Sequence, residues 1–178
     1  MKFRNLKANE IEIRVGTISE NYLTLLLYKN ARVDMDILDE TVGANNWERE
    51  HKELKGNIYC GVSIYDKDKD DWTTKWDCGK ETFTESEKGE SSDSFKRACV
   101  NWGIGRELYT APFIYLTKDK VDIHKNAKGK LTTNDKFYVE QIKYNSNNEI
   151  DGLSIKNQKG ERVFLQKPKE VKNAKDNK

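Results

Sequence analysis

The residues of this chain that could do chemistry include cations at separated places. Lys96 and Arg97 are adjacent, Lys29 and Arg32 are three apart, and Arg14, Lys75, Lys80 and Arg106 stand singly, with aromatic residues interleaved among them. Brought together in one groove, such side chains would hold a polyanion by its phosphates while rings stack on its bases. A second group is acidic: Glu81, Glu85, Glu87, Glu90 and Asp93. A cluster of this kind can hold Mg²⁺ in a nuclease, or it can decorate the first turns of a helix, where the dipole favours acids. Other catalytic options are few. His51 and His124 are the only histidines, no H-E-x-x-H occurs, and Gly79-Lys80 runs into Glu81 without the earlier glycine of a phosphate-binding loop. ATP hydrolysis is therefore not expected. Cys60, Cys78 and Cys99 are odd in number, widely spaced and without C-x-x-C, which fits reduced thiols, two of them buried, better than disulfides or zinc. Neither a catalytic residue nor a metal or other cofactor is expected.

Charge restricts the polyanion reading. The chain has 178 residues and a formal net charge of only +2, from 32 Lys and Arg against 30 Asp and Glu. Residues 1–116 hold 17 cations and 21 acids, whereas residues 117–178 hold 15 and 9. Any nucleic-acid site is thus a local groove and not a basic coat. No run approaches the roughly 18 apolar residues of a membrane span. The start M-K-F-R-N-L-K-A-N-E lacks the apolar segment of a signal peptide, so the expected location is the cytoplasm and no membrane partner is expected.

The elements that must position these residues can be read from periodicity. Phe95, Ala98, Cys99 and Trp102 recur at helical spacing, Thr84 with Glu87 has capping-box spacing, and Gly103 and Gly105 supply a stop. The expected helix runs from Thr84 to Trp102, with Lys96 and Arg97 off its apolar stripe. Glu10 to Val15 alternates as a strand carrying Arg14. Tyr22 to Val42 reads as a second helix, with Lys29 and Arg32 on one face and Gly43 as its cap. Trp47 to Leu54, Ile58 to Tyr65 and Trp72 to Cys78 read as a meander with Cys60, Val62 and Ile64 on the covered face. The loop from Asp66 to Asp71 lacks the ligand order of a calcium-binding loop and reads as a solvated hairpin tip. Phe113 to Leu116 is a short apolar run and Lys118 to Thr133 an exposed loop. Phe137 to Tyr144, Ile150 to Lys156 and Arg162 to Leu165 form a small sheet, and residues 167–178 a disordered basic tail. The expected class is α+β: an antiparallel β-meander packed on a long helix, with a small C-terminal β-hairpin region. Residues 1–116 form the core and 117–166 an extension of it.

Several runs together carry a family likeness. They are Ala31-Arg32-x-x-Met35-Asp36-x-Leu38-Asp39-Glu40-x-Val42-Gly43-x-Asn45-x-Trp47, Cys60-Gly61-Val62-Ser63-Ile64-Tyr65, Lys88-Gly89-Glu90-Ser91-Ser92-Asp93-Ser94-Phe95-Lys96-Arg97-Ala98 and Trp102-Gly103-Ile104-Gly105-Arg106-x-Leu108-Tyr109. With Leu6-Lys7-Ala8 and Ile11 to Gly16, the chain over about residues 6–116 resembles the phage and bacterial single-strand annealing proteins of the Sak and DdrA type. These are distant relatives of the eukaryotic recombination mediator Rad fifty-two. The resemblance implies an ATP-independent homo-oligomer, a ring or open arc. It holds single-stranded DNA in a basic groove, phosphates gripped and bases presented for pairing, during recombination and repair. Lys96 and Arg97 fall on the family's groove cations, and Arg32 falls near another. Val100 stands where the eukaryotic relative has a third cation. A host recombinase or single-strand binding protein is the further partner considered.

Two rival readings remain open at this point. One is a metal-dependent nuclease using the carboxylates between Glu81 and Asp93. The other is an interaction adaptor that does not bind DNA.

Overall fold

The meander forms where side-chain alternation places it. Strands β3 (Trp47–Leu54), β4 (Asn57–Asp66) and β5 (Asp71–Cys78) pair antiparallel in the order β3-β4-β5. Lys55 and Gly56 join the first two with φ of 54° and 77°, the left-handed pair that a two-residue hairpin turn requires. This is a computed structural model that describes residues 1–79 and 86–169, the side chains of residues 86–88 excepted. The chain divides into two units, Met1–Leu6 with Lys29–Arg106, and Lys7–Tyr28 with the chain from Glu107 onward.

The first unit contains the meander and two helices, α1 (Ala31–Val42) and α2 (Ser86–Trp102). Its core is the layer between α2 and the sheet, where Cys60, Val62 and Ile64 of β4 meet Phe95, Ala98 and Cys99 of α2, all buried. Burying an apolar side chain of this size contributes about 1.5–3 kcal/mol, so this stripe explains why α2 forms against β4 and β5. At α1 the Asn30 Oδ1 accepts from the amides of Arg32 and Val33, which caps the helix. Gly43 ends it at φ 88°, and its N–H donates to the Asp39 carbonyl at 3.0 Å.

The second unit has two three-stranded antiparallel sheets. One pairs β1 (Glu12–Ile18), β2 (Tyr22–Tyr28) and β6 (Ile114–Thr117) in the order β1-β2-β6. After the short β7 (His124–Lys125) and β8 (Leu131–Thr132) hairpin, the other joins β9 (Phe137–Tyr144), β10 (Ile150–Asn157) and β11 (Arg162–Gln166) in the order β11-β10-β9. Leu23, Leu25, Ile114, Leu116, Val139, Leu153 and Ile155 are among its buried apolar residues.

The expected helix from Tyr22 to Val42 needs correction. Tyr22–Tyr28 is a strand and the helix begins only at Ala31. In Tyr-Leu-Thr-Leu-Leu-Leu-Tyr, period-two and helical spacings fit equally well. Pairing of β2 with β1 on one side and β6 on the other decides the outcome. The Lys118 to Thr133 stretch is also less bare than expected, since it contains the β7-β8 hairpin and the buried Val121. The C-terminal sheet and the hairpin tip at residues 66–71 form as expected. The Thr84/Glu87 cap lies outside the described residues, as does the tail from residue 170.

Candidate nucleic-acid interface

Four cations of the first unit, Lys75, Lys96, Arg97 and Arg106, lie along the C-terminal half of α2. This helix ends in a Schellman arrangement: the Ile104 N–H donates to the Cys99 carbonyl at 3.0 Å and the Gly103 N–H to the Val100 carbonyl at 2.9 Å, with Gly103 at φ 105°. The remaining carbonyls are held by cations from elsewhere in the chain. Lys75 Nζ, from β5, donates to the Asn101 carbonyl at 2.9 Å and lies 4.4 Å from the centre of the Trp102 ring. Arg106 donates from Nε and Nη2 to the Val100 carbonyl at 3.2 and 2.9 Å, and from Nη2 to the Asn101 carbonyl at 3.1 Å. Both offset the negative end of the helix dipole.

One turn earlier stand Lys96 and Arg97, at the i−4 positions from Val100 and Asn101 and hence on the same helix surfaces. Arg97 Nε donates to Asp93 Oδ2 at 2.8 Å, with side-chain exposures of 32% and 30%. Such an i,i+4 surface pair is worth about 0.3–0.5 kcal/mol, little enough for a phosphate to displace the carboxylate. Lys96 is half-buried and makes no ion pair with any described residue. Arg106 has no acidic partner among the described residues, and its guanidinium meets the Val100 and Asn101 carbonyls at the helix end.

The other expected groove residues divide. Arg32 is exposed at the second position of α1, where a cation opposes the helix dipole by about 0.3–1 kcal/mol; helix stability does not account for it. Arg14 is exposed on β1, in the other unit, and has no ion pair to a described residue. Lys80 lies outside the described residues. Lys29 must be corrected as a groove residue. It precedes α1, its side chain is 4% exposed, and its ammonium pairs with Asp34, which is 0% exposed. Its stem crosses Gly105, where an added Cβ would stand 2.2 Å from Lys29 Cε. Lys29 and Arg32 do not share a solvent-facing surface.

The carboxylate cluster splits as well. Glu90 is buried, and its Oε1 accepts from the Ile58 N–H at 2.7 Å, which ties α2 to the start of β4. Gly79 lets β5 pass this point, since a Cβ there would stand 2.3 Å from the Glu90 carbonyl oxygen. Asp93 is the Arg97 partner, while Glu81, Glu85 and the Glu87 side chain fall outside the described residues. Among the described residues, no group of three or more His, Cys, Asp or Glu side chains is placed to hold a metal ion. Cys60 and Cys99 are buried free thiols as expected, and burial pushes Cys60 up to about 11 and Cys99 higher still.

Sequence reasoning missed Arg49, whose guanidinium lies 4.9 Å from the centre of the Phe95 ring, and His51, which meets Ser91. Their period-two spacing from Trp47, which stacks on Phe95, was the available signal. Among the described residues no helix is long and apolar enough to cross a membrane.

The chain is of the mixed α and antiparallel β class, with cations gathered around the C-terminal end of α2. The comparison with protein families identifies it further. The model of the Rad52/22 family double-strand break repair protein matches residues 3–128, and the chain belongs to that family. Comparisons with curated proteins and with solved structures give no match.

Proposed function

We propose a function in strand annealing, supported by membership of a family of DNA repair and recombination proteins. We propose that it binds single-stranded DNA and anneals complementary strands without ATP, as a homo-oligomeric ring or arc of the Sak and DdrA type. Lys96 and Arg97 grip the phosphates, and Arg106 and Arg32 add to the grip. Lys75 acts mainly as a cap of α2. The observation that carries this reading is the position of Lys96 and Arg97 one turn before a helix end where Lys75 and Arg106 also lie, with the Arg97–Asp93 pair partly open to solvent.

Contacts to phosphates are indifferent to sequence and leave base edges free, which annealing of arbitrary complements requires. A near-neutral subunit suffices, because an oligomer repeats each subunit's few contacts along one strand. The nuclease reading is weakened by the structural engagement of Glu90 and Asp93.

The test is annealing of complementary oligonucleotides without nucleotide or metal. Wild type should accelerate it, and Lys96→Ala/Arg97→Ala should lose most of that acceleration while unfolding at an unchanged denaturant midpoint. Equal rates for the two proteins would refute the assignment of the grip. Strand cleavage on adding Mg²⁺ or Mn²⁺ would favour the nuclease.

A further inference from the structure

The sheet β1-β2-β6 carries an ordered file of aromatic rings on its outer side. Tyr22 and Tyr115 stack with centroids 4.8 Å apart at 28°, and Phe113 and Tyr115 follow at 6.3 Å and 27°. Phe113 is 78% exposed and Tyr115 43% exposed. Register fixes what shares this side. Thr24 pairs with Tyr115 and Leu26 with Arg14, and residues two apart on a strand face the same way, so Tyr22, Leu26 and Arg14 lie with the rings. The opposite side holds Leu23, Leu25, Ile114 and Leu116 and is the core. Leu26 is also exposed, the nearby Glu12 carboxylate accepts from the Tyr28 hydroxyl, and Arg14 makes no ion pair with a described residue.

A core requires none of this. A solvated strand end would be expected to carry polar residues, and three rings in file beside an unpaired arginine make an amphipathic surface with π-faces and a cation. We infer that Phe113, Tyr115 and Tyr22 form a stacking platform for the bases of single-stranded DNA, with Arg14 meeting an adjoining phosphate. The inference rests on the proposed function and adds to it a second kind of contact, made to base faces. Stacking uses the flat face of any base and leaves its pairing edge open, so the platform is compatible with annealing. A second copy of this chain could instead cover the rings. The unpaired Arg14 favours the polyanion.

The test compares a thymidine oligonucleotide with an abasic oligonucleotide of equal length, which keeps the phosphates and removes the bases, by fluorescence anisotropy on the full chain. Wild type should bind the thymidine strand roughly tenfold more tightly, the size expected for one stacked base. Phe113→Ser, at a position too exposed to be needed for folding, and Phe113→Ala/Tyr115→Ala should bind both strands alike, with the salt dependence of wild type. Tyr115→Phe should keep the preference. Retention of the preference by Phe113→Ser and by the double variant would overturn the platform while leaving the proposed function standing. Loss of the preference together with a smaller oligomer in light scattering would assign the face to a second copy and also overturn it. Wild type binding neither strand at low salt would refute the proposed function and the platform together.

Discussion

Lys29 carries its ammonium into the interior of the first unit, where the Asp34 carboxylate meets it. Its charge and its spacing from Arg32 suit a groove, yet it lies buried against Asp34 beneath the Gly105 backbone. What hides it is an acid five residues on and a glycine 76 positions away in sequence, and neither creates a periodic signal. Breaking a buried pair by removing one partner costs about 3–5 kcal/mol, so Lys29→Met should lower unfolding stability by that order in urea. Lys29→Met/Asp34→Leu should recover much of the loss, because no uncompensated charge remains. A Lys29→Met protein of normal stability and lowered DNA affinity would restore the groove role instead. The cysteines were legible, because Cys60 alternates with Val62 and Ile64, and Cys99 lies on the apolar stripe with Phe95. In the native protein, a thiol reagent should modify the half-exposed Cys78 first. Cys60 and Cys99 should react only on unfolding, as mass spectrometry of labelled peptides would show.

At the scale of elements, the meander was legible almost to the residue. Its strands alternate cleanly, and its two turns carry the residues that left-handed and solvated backbone calls for. β2 was not, because an unbroken apolar run carries both periods and its partner β6 lies some ninety residues on. The capping cations at the end of α2 were named in the sequence, but as groove residues. Donation from a charged side chain to a helix carbonyl is worth about 1.5–3 kcal/mol. Lys75→Met should therefore destabilise the fold by roughly that amount in a urea titration, with little change in DNA affinity. The C-terminal sheet has its own electrostatic tie. Arg162 donates to Glu140 at 2.7 and 2.9 Å and Lys156 Nζ lies 2.7 Å away, which holds the Glu140 carboxyl down at about 2. A depressed folded value means that the stabilisation is fully present above the ordinary value of 4.5 and is lost as pH falls from there through about 2. Glu140→Gln should flatten that part of the stability profile measured by circular dichroism, and an unaltered acid limb would count against the tie.

For the whole molecule, charge is spread without a single basic run, and the formal net charge of +2 argues for a local site. The resemblance over residues 6–116 and the family match over residues 3–128 agree on what kind of protein this is. Which cations serve that function was only partly legible, because charge spacing does not distinguish a phosphate grip from a helix cap or a buried pair. Lys96 makes no ion pair with a described residue, and Arg97 makes a partly exposed pair with Asp93. The direct test is the salt dependence of binding to a short thymidine oligonucleotide, wild type against Lys96→Ala/Arg97→Ala. Each phosphate contact on a single strand contributes about 0.7 to the slope of log K against log salt, so losing two per bound subunit should flatten it by about 1.4. An identical slope in the two proteins would contradict the grip assigned to Lys96 and Arg97.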